Sequence, residues 1–388
     1  MTQKTSLRPA IAAFLLMVAM AITTSALSFF VSPICSELNI GRGSFLLYYS
    51  LMTAAGAFSI TFVGNYVSKK GVHKILVIAG IWCACGLFLF SFANSLWMFY
   101  IVAACMGFFA TSSISLCANV IVQTSYSDEQ AASLLGFVAA GSGVGGMIFS
   151  LILPNIIENF GWRIGYRFLA VCWLVFVFAA FFLMGKQEIA ENSNQRRTLN
   201  NGMTRAEAVK SPKFYLILVS IIMFTIGSGV QQQLPSYLES MNFSTGQISF
   251  MISLMTASLA IGKILQGMLY NRIGIKNGGI IIGMMYVISF LLLQKSFFAY
   301  PGLICLAFGM GILTTLMPTV VRYIFGAREF AAIWGLISTV CSVSSFIATP
   351  SWGMVYDSFG TYTPAMMACP VLLVIGLITM SISLKDLP

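Results

Sequence analysis

One lysine stands inside an apolar run. In the stretch SFMISLMTASLAIGKILQGMLYNRIG, residues 249–274, Lys263 is surrounded by Ile, Leu and Met, and the run ends in a basic turn bearing glycine. A helix over residues 245–270 would be about 26 residues, or about 39 Å at 1.5 Å per residue, enough to cross about 30 Å of hydrocarbon. Lys263 then lies about 8 Å from the helix midpoint, where a lysine facing lipid costs about 2.5 to 3.5 kcal/mol. Ser249, Ser253, Thr256, Lys263 and Gln266 recur at helical spacings and share one stripe, while Ile252, Met255, Leu259, Ile264 and Leu265 fill the remainder. Such a stripe implies a watered cavity or a polar partner, and an ammonium there can hold an anion. The alternative is a lysine whose long stem snorkels to the headgroups.

Other hydroxyls and amides sit at comparable places along the chain. Thr24 and Ser28 in the first apolar segment, Tyr48 in the second, Ser112 in the fourth, Thr315 in the tenth, and Ser338 with Cys341 in the eleventh are candidate substrate contacts. Small hydroxyl residues also let helices pack closely or bond back to their own turn, and Tyr48 can equally be an interfacial aromatic. In the seventh segment Gly227, Gly229, the run Gln231, Gln232 and Gln233, and then Pro235 predict a kinked end facing a cavity, since amides are costly in lipid and proline removes a backbone donor. Headgroup exposure of Gln232 and Gln233 is the alternative. The glycines from Gly136 to Gly146 predict close helix packing. Arg163 and Arg167 either attract anions from outside or meet headgroups.

The elements carrying these residues are membrane spans. Of 388 residues, 58% are hydrophobic and 8% charged, against roughly 25% charged in soluble domains. Spans are expected near residues 9–33, 43–67, 74–93, 97–122, 131–157, 165–185, 213–236, 245–270, 277–296, 299–324, 329–356 and 363–384. The fold class is an all-α membrane protein of twelve helices, because lipid admits only helices or closed barrels and the alternation of a barrel is missing. The first segment is too long for a signal-peptide core and lacks a small-residue cleavage site, so it is expected to remain as a span. Sixteen of the 21 Lys and Arg fall on the side of the N-terminus and four on the other, apart from Lys263. Both termini are therefore expected in the cytoplasm, in a cytoplasmic (inner) membrane. The net charge of +10 is orientation signal and calls for no nucleic acid. The nine cysteines lack metal-ligand spacing and are expected to pack; no metal and no other cofactor is expected.

The chain repeats itself. Gly64-Asn-Tyr-Val-Ser-Lys-Lys-Gly71 and Gly267-Met-Leu-Tyr-Asn-Arg-Ile-Gly274 are offset by 203 positions, and Phe160-Gly161 and Phe359-Gly360 by 199. Two pseudo-symmetric six-helix halves follow, residues 1–185 and 213–388, joined by a polar loop at 186–212, as in many secondary transporters. The two octapeptides resemble the Gly-x-x-x-Asp-Arg-x-Gly signature of the major facilitator superfamily. Gly64, Ser68, Lys69 and Gly71, with Gly267, Asn271, Arg272 and Gly274, occupy the signature positions, and Ser68 and Asn271 stand where the acid usually is. Three further stretches, SPICSELNIGRGSFLLYYSLMTAAGA at 32–57, FGWRIGYRF at 160–168 and MTRAEAVKSPKFYLI at 203–217, are similar to the oxalate/formate antiporter and monocarboxylate transporter group, over essentially the whole chain.

That resemblance implies alternating access by two six-helix halves and a basic residue of helix 8 that meets the substrate carboxylate; Lys263, four before Gly267, occupies that place. Cys341 stands where the oxalate-specific members carry a second cation, which implies a substrate with one carboxylate. Leu259 stands where proton symporters place an aspartate. All eleven acids fall in loops or near span ends, so exchange or facilitation is expected rather than symport through a protein carboxylate. The reading at this stage is a transporter of a small organic anion, expected as a monomer in membrane lipid. Proton-linked monocarboxylate symport, export of a lipophilic compound and a transporter-like receptor are the alternatives. An enzyme would need clustered nucleophile, base or metal ligands at one depth, and the sequence has none.

Overall fold

The computed structural model describes residues 7–109, 111–126, 128–184, 202–326 and 328–385. All twelve expected spans are present among them: α1 (Arg8–Leu38), α2 (Arg42–Ile60), α3 (Val72–Phe90), α4 (Leu96–Val122), α5 (Leu134–Phe160), α6 (Trp162–Met184), α7 (Pro212–Ser240), α8 (Thr245–Tyr270), α9 (Ile275–Leu292), α10 (Ser296–Phe325), α11 (Ala332–Phe359) and α12 (Thr363–Ser383). The repeat anticipated from glycine spacing has a backbone counterpart. Gly71 and Gly274 both turn with positive φ, 77° and 84°, as do Gly161 and Gly360, at 82° and 67°. A side chain at any of these positions would be strained.

α1 and α7 are broken in the same register. A 3-10 segment interrupts α1 at Ala26–Phe30, and another interrupts α7 at Gly229–Gln233, 203 positions later. In α1 the hydroxyls compete for backbone: Thr23 and Thr24 donate to the Met20 carbonyl, at 2.9 and 3.2 Å, and Ser28 donates to that of Ser25 at 2.7 Å. In α7 Pro235 is the second residue of the helical turn that resumes at Leu234, a position where a missing N–H is tolerated. The kink expected from Pro235 is therefore taken up by the 3-10 segment just before it.

Two compact units are formed: residues 1–193 with 234–260, and residues 194–233 with 261–388. The end of α7 and the first part of α8 group with the first unit. In that unit α1 packs along α5 and α6, α2 along α4, and α3 along α6. Glycine makes the α1–α5 seam possible: a Cβ at Gly145 would stand 2.6 Å from the Val18 carbonyl oxygen, and one at Gly141 the same distance from that of Phe14. At one end of this unit the Glu37 carboxylate accepts the Trp162 indole N–H at 2.6 Å and pairs with Arg163. Arg163 also donates to Asn94 at 3.0 Å, and Arg167 donates to Ser91 at 3.2 Å and lies over the Phe92 ring. Both arginines are thus engaged within the protein, Arg163 in an exposed pair of the kind worth at most about 1 kcal/mol.

In the second unit α7 packs on α11 and α12, and α9 on α10 and α12. A short helix, Arg205–Lys210, starts with a capping box in which Thr204 and Glu207 satisfy each other's backbone N–H. It is tied to the α10–α11 turn, because Met203 N–H donates to the Phe325 carbonyl and Arg205 N–H to Glu329, both at 2.7 Å. The Thr204 backbone N–H, with its hydroxyl, holds the Glu207 carboxyl below its ordinary value of 4.5. A lowered carboxyl pKa stabilises the cap fully above pH 4.5, and that support is lost as pH falls through the lowered value. Amide protection at residues 205–210, taken relative to the intrinsic exchange rate at each pH, should therefore be higher at pH 7 and fall as the pH drops below 4.5, and Glu207→Ala should show the reduced protection already at neutral pH.

Candidate functional site

The α8 stripe comes apart into seams and one exception. Ser249 donates to the Thr245 carbonyl at 2.8 Å. Ser253 donates to that of Ser249 at 2.8 Å and across to Met147 of α5 at 3.1 Å. Thr256, 2% exposed, donates to Ile252 and Ser253 at 3.1 and 3.0 Å, with its methyl against Gly146. The first part of the stripe, expected to face a watered cavity or a polar partner, has a partner: the glycine face of α5. Hydroxyls buried in a helix seam bond to nearby carbonyls because an unmade buried bond is costly.

Gln266, 0% exposed, bonds on the other side of Lys263. Its Nε2 donates to the Phe308 carbonyl of α10 at 2.6 Å, and its Oε1 accepts from the Tyr270 hydroxyl at 3.3 Å and from that of Thr315. Thr315 donates also to the Gly311 carbonyl at 2.8 Å. Lys263 itself is half-buried between these bonded groups. Among the described residues it makes no hydrogen bond or ion pair; the ion pair found there is Arg163 with Glu37.

The remaining candidates divide by unit. In the first, Thr24 is half-buried, Ser28 is buried with its hydroxyl spent on Ser25, and Tyr48 is 1% exposed inside a cluster of Phe45, Phe90 and Phe99. The side chains of Ser112, Gly64, Ser68, Lys69 and Asn271 lie outside the described residues. In the second, Gln231 is half-buried and Gln232 buried. Gln233, named only as part of the run, is fully buried and accepts the Tyr362 hydroxyl at 2.7 Å, so this end of α7 is enclosed by protein rather than by headgroups. Cys341 meets the Thr225 hydroxyl at 3.5 Å, and Ser338 is half-buried, its carbonyl accepting from Ser342 at 3.0 Å. Arg272 is exposed in the last turn of the helix that carries α8, Thr245–Ile273, and a Cβ at Gly267 would meet open space. Sequence reading missed the Glu37 cluster and the full partnering of Gln266. Glu37, Trp162 and Arg163 lie inside two of the stretches quoted for the resemblance, and their opposite charges at span ends were the available signal.

The sequence matches the Major Facilitator Superfamily model over residues 11–349. The chain belongs to the major facilitator superfamily. It is 23% identical to human (Homo sapiens) monocarboxylate transporter 12 over 346 residues, 79% of this chain and 66% of that one, so it spans about two thirds of that relative's length. It is 22% identical to an agnestins efflux protein of Paecilomyces divaricatus over 316 residues, covering 78% of this chain and 70% of that one. Among solved structures, a variant of the nucleoside transporter NupG matches with a TM-score of 0.82 at 14% identity, over 98% of this chain and 99% of that one, which shows the fold. Relatives and structural neighbours are transporters, and the chain is a multi-pass transporter of this superfamily.

The bonding of Thr256 sets an expectation for this superfamily member. Thr256→Val keeps the methyl contact with Gly146 and removes only a hydroxyl already satisfied by its own helix. Purified Thr256→Val in liposomes should transport within about twofold of the parent, whereas a loss of about tenfold or more would place that hydroxyl on the substrate.

Proposed function

We propose that this transporter carries a small organic anion with one carboxylate, by alternating access, and that the Lys263 ammonium neutralises that carboxylate. One observation carries the reading. In a stripe of five polar residues, four are bonded to backbone or side chains and Lys263 alone has no partner among the described residues. A cation in a membrane span without a resident counter-charge is stabilised by a bound anion, and that differential stabilisation is what shifts a transporter between states. The place of Lys263, four before Gly267, matches the substrate-binding base of the carboxylate group that the sequence resembles, and the similarity to monocarboxylate transporter 12 supports the same class.

The finer features follow the same logic. A neutral Cys341 beside Thr225 supports one carboxylate over two. Leu259, in place of an acid, and acids confined to loops and span ends support exchange or facilitation over symport through a protein carboxylate; a proton carried on the substrate is the alternative coupling. Gln231 and Ser338, half-buried in the unit that holds Lys263, are proposed companions in binding. The distribution of cations supports an inner-membrane protein with both termini in the cytoplasm. The efflux relative supports a second reading, export of a lipophilic compound.

Uptake of lactate, pyruvate, acetate and oxalate into liposomes, beside a bulky amphiphile, tests this. A monocarboxylate should be carried; Lys263→Gln should fold and lose about tenfold or more of that transport, and Lys263→Arg should keep part of it. Transport by Lys263→Gln at the parental rate would overturn the proposal, and carriage of the amphiphile alone would favour export.

A further inference from the structure

We infer that Gln266 is a positioning residue for Lys263, pinning α8 to the interrupted turn of α10; the inference rests on the reading of Lys263 as the anion-binding group. Gln266 follows Lys263 by three residues, so the two are neighbours on one helix face, separated by about 4.5 Å of rise. The amide is fully buried and both of its ends are used, the nitrogen by the Phe308 carbonyl and the oxygen by the hydroxyls of Tyr270 and Thr315. Two of these partners belong to α10, at the place where its α-helix stops at Met310, passes through a 3-10 turn at Gly311–Leu313 and resumes at Leu316.

The approach is close enough to require glycine. A Cβ at Gly311 would stand 2.4 Å from Nε2 and 2.7 Å from Oε1 of Gln266, so the amide occupies the space a side chain would take. A helix held by apolar contacts alone can slide or rotate by a fraction of a turn among nearly equal packings. One held by a donor and an acceptor on both sides of a single amide has one register. Lys263 has no bond of its own to fix it, so its place along and around α8 is set by the next fixed group, which is Gln266.

An isosteric pair of substitutions separates positioning from packing. Gln266→Met keeps the volume and removes both bonds, and Thr315→Val removes one hydroxyl. With pyruvate, or the member of the lactate, pyruvate and acetate panel the parent carries fastest, each should raise KM about tenfold and leave the maximal rate within about twofold. The double variant should be no worse than the worse single variant, because both break one link. Gly311→Ala should displace the amide and show the same split. An unchanged KM in both single variants, or an equal fall in maximal rate with KM unmoved, would overturn the inference; should Gln266→Met fail to purify as a single species, Thr315→Val decides. The outcomes also separate the two readings. If Lys263→Gln is inactive while KM is unmoved in Gln266→Met and Thr315→Val, only the positioning role falls. If Lys263→Gln transports normally, the site itself falls.

Discussion

An ammonium inside a membrane span is stable only where water, a carbonyl or an anion meets it, and the described residues supply no such bond to Lys263. The arrangement around it depends on this constraint. Among the described residues the other charges are kept at span ends or outside the spans, where Arg163 finds Glu37 and Asn94, and Arg167 finds Ser91. Within α8 the apolar flank and the bonded hydroxyls leave a single polar group without a bonded partner among the described residues, the one the proposed anion would neutralise. A buried charge left unpaired destabilises the protein, whereas a charge paired by cargo ties occupancy to conformation.

The hydroxyls and amides of the spans act as glue. Ser253 joins α8 to α5 through the Met147 carbonyl, and Gln266 joins it to α10 through Phe308 and Thr315. These bonds form where glycines leave room for a side chain, Thr256 against Gly146 and the Gln266 amide against Gly311. Lipid gives helices no hydrophobic reason to associate with one another, so small residues and interhelical hydrogen bonds carry the association. In sequence Lys263 follows Ser253 and precedes Gln266, three residues past Ala260, the last residue of α8 that groups with the first unit.

Much of the fold was legible because it is written in local chemistry. Twelve apolar runs and the glycine pairs that turn with positive φ are properties of short stretches, and the structure has them at those places. The 203-position register, read from two octapeptides, also relates the 3-10 breaks of α1 and α7; the run ending in Pro235 announced the one in α7, and no local pattern announced the one in α1. What the sequence hid is partnering over distance. The stripe on α8 showed that polar groups share a face, but nothing in it says that Thr256 bonds to its own helix while Gln266 reaches a residue 49 positions away. Tyr48 read as a substrate contact or, the commoner case, an interfacial aromatic, and its burial among Phe45, Phe90 and Phe99 depends on which helices meet. The grouping of residues 234–260 with the first unit is likewise a tertiary fact.

The most direct measurement is the reactivity of the Lys263 amine itself, followed by mass spectrometry after brief exposure of the parent protein in liposomes to a membrane-permeant amine reagent. With saturating transported monocarboxylate present, labelling of Lys263 should slow markedly while that of Lys295 and Lys385 stays constant. Labelling of Lys263 at the same rate with and without an anion that the protein is transporting would contradict the account.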